Sequence, residues 1–177
     1  REAASVMSSA QRHTHFLDSP RIVAAPARPD FQFSALRHDL TSIFLVLPPN
    51  RLDAYSRWLR LLVAQALQDI ARDAEAAQAG SERLKQPALF LLDEFAALGR
   101  LEAVERAMGL MAGYGLQLWP ILQDMSQLKD LYGARANTFV ANAGVLQTFG
   151  VNDFETAKWL SQMIGRETTG YQTESHK

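Results

Sequence analysis

The chain has 177 residues, 47% of them apolar and 21% charged, which is enough hydrophobic material for one domain, or one large piece of a domain, with a sizeable core. Its formal net charge of -1 excludes a global basic field, so any contact with nucleic acid must come from a local patch or from a ring of subunits. It has no cysteine, which excludes disulfide frameworks, thiolate metal sites and cysteine nucleophiles and fits a reducing compartment. No apolar run reaches the roughly 20 residues that a membrane helix needs, and no signal-peptide core opens the chain. The chain is accordingly expected to be soluble, and its start at Arg1 and polar tail from Gln172 to Lys177 lead to the expectation of a piece of something longer.

In chain order, residues 1–16 read as helical, and the prolines at 20, 26 and 29 predict a loop over 18–30. Residues 1–38 are thus expected as an N-terminal helix and loop. The β-branched and aromatic run from Thr41 to Leu47, stopped by Pro48-Pro49, predicts a buried strand. From Arg51, the residues Leu52, Tyr55, Leu59, Leu62, Val63, Ala66, Leu67 and Ile70 recur at three and four and define one face of a long helix. Its other face carries Arg57, Arg60, Gln65 and Asp69. A polar stretch from Asp73 to Gln86 leads to a second apolar run, Ala88 to Leu92. Being apolar on both sides, it predicts a strand inside a parallel sheet covered by helices.

A helix follows from about Leu101 to Ala112, then a strand from Leu116 to Leu122, then a short helix from Ser126 to Leu131. Gly144 to Phe149 predicts a fourth strand. Asn152 with Glu155 three residues on predicts a capping box for a last helix that buries Phe154, Ala157, Leu160 and Ile164 and stops at Gly165. Strands and helices alternate, so the expected fold class is α/β with a largely parallel sheet.

The chemistry concentrates at Leu89-Phe90-Leu91-Leu92-Asp93-Glu94, an apolar strand ending in two adjacent carboxylates. Parallel α/β sheets bind their ligands at that edge. Two carboxylates there suit a Walker B site, in which Asp93 holds Mg²⁺ through its water shell and Glu94 is the catalytic base that polarises water for attack on a γ-phosphate. The same string also suits a strand that simply ends, its acidic residues capping the next helix. Gln123 is the first polar residue beyond the run Leu116 to Leu122. An amide at that strand tip can sense a γ-phosphate and orient the attacking water, or it can cap the helix that follows.

Together with the Pro87-to-Gly99 string, the strings Ile121-Leu122-Gln123, Ser126 to Gly133 and Asn152 to Ala157 resemble the TraG/TraD-type coupling proteins of conjugative type IV secretion. The similarity is clear from about Pro87 to Thr168, and Asp39 to Pro49 with the long helix looks like the segment that precedes the Walker B strand in that family. The resemblance implies a three-layer RecA-like P-loop ATPase domain, with this chain as its Walker B and sensor half. It implies ATP and Mg²⁺ as cofactors and a hexameric ring on the cytoplasmic face of the bacterial inner membrane. It further implies transfer of single-stranded DNA with its attached relaxase, in partnership with inner-membrane components of the secretion system. Asp93 and Glu94 match the Walker B pair and Gln123 the strand-tip glutamine.

Family members often carry an arginine just ahead of a sequence like Tyr114-Gly115, suited to reach a neighbour's phosphate. Gly109 to Gly113 has none here, which leaves Arg100, Arg106 and Arg135 as substitutes or as solvated surface residues. The chain also lacks the Gly-Lys-Ser/Thr of a P-loop. The resemblance places that loop upstream and its strand between the Walker B and sensor strands, so this chain alone is expected neither to bind ATP tightly nor to hydrolyse it, and its open ladder edges to favour self-association or local disorder.

His13 and His15 lack a carboxylate at helical spacing and read as surface residues. Tyr55, Trp58 and Trp119 read as core or half-buried aromatics rather than base-stacking platforms. Lys129 and Arg135 read as a solvated helix face rather than a DNA pore lining. Two other functions stay open: a non-catalytic docking module on the same scaffold, and a ring translocase outside conjugation.

Overall fold

The structure, a computed structural model, describes residues 2–24, 31–80 and 87–165. The N-terminal helix forms as α1 (Glu2–Thr14), followed by a 3-10 turn over His15–Asp18. The loop expected over 18–30 is corrected in part, because Pro20 opens a short helix, α2 (Pro20–Ala24). At a first helical position proline's missing N–H costs nothing and its fixed φ suits the helix. Prolines 26 and 29 lie outside the described residues. Phe16 and Ile22 are buried, and the Phe16 ring lies 6.2 Å from that of Trp58.

The strand expected from Thr41 to Leu47 is not formed. Leu40, Phe44 and Val46 are 89%, 84% and 81% exposed, and no described residue offers this segment a ladder. A strand's stability comes from pairing and from a covered face, so β-propensity alone does not produce one. Just before it, Arg37 is buried and its Nε lies 2.6 Å from Asp73, while His38 Nε2 reaches the same carboxylate at 3.0 Å. These contacts pin the 3-10 turn Phe33–Arg37 to the long helix α3 (Leu52–Gly80).

Helix α3 runs into what reads as a polar stretch because Ala71, Ala74, Ala76, Ala77 and Ala79 are the strongest helix formers. Of its predicted apolar face, Val63, Ala66, Leu67 and Ile70 are buried, whereas Leu52, Tyr55, Leu59 and Leu62 are half-buried. Tyr55 and Trp58 are half-buried as expected.

Strand β1 (Ala88–Leu92) pairs in parallel with β2 (Leu116–Pro120), Ala88 opposite Leu116 and Leu92 opposite Pro120. Helix α4 (Glu102–Leu110) and a 3-10 turn (Met111–Tyr114) connect them. After β2 come α5 (Met125–Tyr132), α6 (Ala136–Asn142) and α7 (Phe154–Ile164). Helix α6 is not anticipated by periodicity; it buries Ala136 and Phe139, one turn apart.

Among the described residues the sheet has these two strands, and Gly144 to Phe149, expected as a strand, has no regular structure, with Val145 84% and Phe149 81% exposed. The core joins α3, β1, α4, β2, α5 and α6 around Leu67, Ile70, Phe95 and Val104. It covers one sheet face. On the other, Leu89, Leu91 and Trp119 are exposed, at 54%, 59% and 48%, which corrects the expectations of a β1 buried on both sides and of a core or half-buried Trp119. The architecture is mostly helical with a small parallel two-stranded sheet, compatible with α/β. No described helix is long and apolar enough to cross a membrane.

The direct pairing of β1 with β2 corrects a further expectation. Backbone bonds extend the ladder past its ends, from Ala88 N–H to Gly115 O, Ile121 N–H to Leu92 O and Phe95 N–H to Ile121 O, all within 3.0 Å. No P-loop strand fits between two strands bonded in this way.

Candidate nucleotide-hydrolysis site

The chain turns sharply at the C-terminal end of β1. Glu94 has φ 46° and ψ 44°, left-handed, and is the one described non-glycine residue with positive φ. Side chains with a Cβ resist that conformation at about 1–2 kcal/mol, and such outliers persist where the surroundings over-determine them. Here the neighbours are identifiable. Asp93 Oδ1 accepts the Glu94 N–H at 3.0 Å, and the following residue, Phe95, is fully buried. The Phe95 ring stacks on Tyr132 at 6.0 Å and lies 5.9 Å from Phe139, while Tyr132 and Phe139 are 4.5 Å apart. Burial pushes the Tyr132 phenol above its ordinary value, and its oxygen accepts the Leu101 N–H at 3.1 Å. This aromatic trio anchors the turn from below and leaves Asp93 and Glu94 exposed above it.

The structure brings Glu94 and Gln123 together. The ends of β1 and β2 lie in register, so the residues just past them are neighbours. Gln123 Nε2 donates to Glu94 Oε2 at 3.3 Å and lies 3.5 Å from Oε1. Gln123 is held in turn, its backbone N–H donating to Gln127 Oε1 at 3.0 Å. Asp124 caps α5 by accepting the Gln127 N–H at 2.8 Å. Asp124 and Gln127 stand three apart, a capping-box pattern legible in the sequence, and their role in fixing Gln123 is what sequence reasoning missed.

The arginines fall elsewhere. Arg135 pairs with Glu105 at 2.8 Å and Arg100 lies 3.8 Å from the same carboxylate. Both are surface residues engaged with Glu105, and Arg106 is exposed on α4. His13, His15 and Lys129 are exposed as well.

The expected capping box of the last helix is corrected by one residue. Asp153, not Asn152, caps α7, accepting the N–H groups of Glu155 and Thr156 at 3.0 and 3.1 Å. The Thr156 hydroxyl and N–H beside it hold the Asp153 carboxyl below the usual carboxylate range. The face expected to be buried is also corrected: Phe154, Ala157 and Ile164 are exposed, Leu160 is half-buried, and the buried residue of α7 is Thr156.

Two adjacent carboxylates and a facing amide thus stand at the tips of neighbouring parallel strands, presented by a strained turn. The type IV secretory system conjugative DNA transfer family matches the chain over residues 1–177. The chain belongs to this family. It is similar to the protein VirD4 of Agrobacterium fabrum (strain C58), 35% identical over 150 residues that cover 84% of this chain and 22% of that protein. VirD4 of Rhizobium radiobacter is 37% identical over the same extent, 84% of this chain and 21% of that protein. The conjugal transfer protein TraG of Escherichia coli is 31% identical over 174 residues, covering 94% of this chain and 27% of TraG. The chain thus spans about a quarter of the length of these curated relatives.

Proposed function

We propose that this chain is the Walker B and sensor half of the ATPase motor of a type IV secretion coupling protein. The observation that carries the reading is the Gln123 amide on the Glu94 carboxylate, 3.3 Å apart across the ends of two strands bonded in register. A docking module has no need for a left-handed glutamate presenting its carboxylate to an amide at a ligand-binding sheet edge.

ATP and Mg²⁺ fit this site by donor chemistry, since Asp93 is an exposed carboxylate at the strand end and would hold the cation through water. When bound, the nucleotide supplies the γ-phosphoryl group and the cation neutralises its charge. Glu94 accepts a proton from the attacking water. Gln123 fixes the Glu94 carboxylate and offers its amide to the water and the phosphoryl oxygens. The longer protein supplies the P-loop from a part outside these residues, and its strand adds at an outer edge of the sheet, completing a three-layer RecA-like domain. In the assembled protein the motor works as a hexameric ring on the cytoplasmic face of the inner membrane. It receives the relaxase with its single-stranded DNA and hands them to the inner-membrane components of the secretion system.

The test is DNA-stimulated ATP hydrolysis by the full-length protein against its Glu94→Gln variant. Turnover is expected to fall by about 10²-fold or more, the usual loss for a general base, with ATP binding retained. Equal turnover in both proteins would move the reading to a non-catalytic docking module.

A further inference from the structure

Helix α7 is built against its own sequence. It carries Phe154, Met163 and Ile164, all exposed, yet the residue it buries is a threonine. A buried hydroxyl needs a partner, and its partner explains the choice. Thr156 Oγ1 accepts the backbone N–H of Met125 at 3.2 Å. Met125 is the first residue of α5, whose early N–H groups have no acceptor within the helix. Asp124 satisfies Gln127 N–H and Thr156 satisfies Met125 N–H, so two side chains divide the open end of α5 between them.

Gln123 lies two residues before Met125. Its strand-tip segment is therefore clamped from both sides: Gln127 holds the Gln123 N–H, and Thr156 holds the backbone just beyond it. Asp153 fixes Thr156 by capping α7 at the Thr156 N–H. Hydrogen bonds from α7 thus reach the backbone two residues beyond Gln123, the residue whose side-chain amide faces Glu94.

We infer that Thr156 is a positioning residue for Gln123, coupling the α7 N-terminus to the geometry of the hydrolytic site. The inference rests on the reading of Glu94 and Gln123 as hydrolytic groups. Loss of the hydroxyl strands the Met125 N–H and frees the segment to shift. An ångström at a water-orienting amide changes the rate, not the affinity for nucleotide.

The experiment is steady-state ATP hydrolysis by the full-length protein carrying Thr156→Val, Thr156→Ser or Gln123→Ala, with Glu94→Gln alongside. Thr156→Val is expected to lower kcat about tenfold with KM for ATP unchanged. Thr156→Ser, which keeps the hydroxyl, restores kcat, and Thr156→Val adds no further loss in the Gln123→Ala background, because both act through one group. Thr156→Ala, which removes the hydroxyl with less bulk, reads the same way if the valine variant does not accumulate. Wild-type kcat in the variants lacking the hydroxyl, with Glu94→Gln inactive, overturns the positioning role and leaves the hydrolytic site standing. So does an additive loss in the Gln123→Ala background. Wild-type turnover in Glu94→Gln overturns both.

Discussion

Glu94 takes a left-handed backbone that glycine would adopt at no steric cost. The strain is tolerated because Asp93 Oδ1 binds its N–H and Phe95 is locked in the aromatic trio immediately after it. Function and stability therefore pull apart at this position. Glu94→Gly is expected to be more stable than Glu94→Ala by about 1 kcal/mol, the cost of a Cβ in that region, although both lack the carboxylate. Urea unfolding of the two variants measures the difference, and equal stability would mean that the turn relaxes when the carboxylate is removed.

Elements form here where a partner covers them. The run Ala88 to Leu92 becomes a strand because β2 pairs with it and α3 and α4 cover its inner face, while the runs from Thr41 to Leu47 and from Gly144 to Phe149 find neither among the described residues. Helix α3 is fastened at its C-terminal half by the Arg37–Asp73 pair, whose arginine is almost wholly buried. Removing one member of such a pair leaves a buried charge without compensation. Asp73→Ala is expected to cost about 3 kcal/mol, a figure of the order found when a buried pair loses one partner, and to release the turn Phe33–Arg37 from α3. Pairing it with Arg37→Met should recover much of that loss, as read by denaturant midpoints. A cost near zero for Asp73→Ala would show that water reaches Arg37.

At the scale of the whole molecule, the proposed nucleotide site would be half supplied by these residues. Glu94 and Gln123 are brought together, but phosphate recognition requires a P-loop whose glycines, lysine and hydroxyl are not in these residues. The 177-residue chain is expected to give no calorimetric signal for Mg-ATP at micromolar concentrations, and a micromolar Kd would displace the nucleotide site from the position argued above. The exposed sheet face at Leu89, Leu91 and Trp119 belongs to the same scale, since a two-layer arrangement leaves apolar surface that a third layer would cover.

By itself the sequence determined what local chemistry can dictate. The long helix follows from apolar spacing at three and four, the two paired strands from short apolar runs, and the carboxylate pair and strand-tip glutamine from being the first polar residues beyond those runs. The family resemblance was legible in the same strings. Only the tertiary structure decided that β1 and β2 are direct neighbours, that two other runs expected as strands find no ladder among the described residues, that Glu94 turns left-handed, and that α7 buries Thr156 instead of its large apolar residues. The reason is that pairing, burial and capping are relations between distant segments. Propensity reports what a residue tolerates, and its partners fix which tolerated state is adopted.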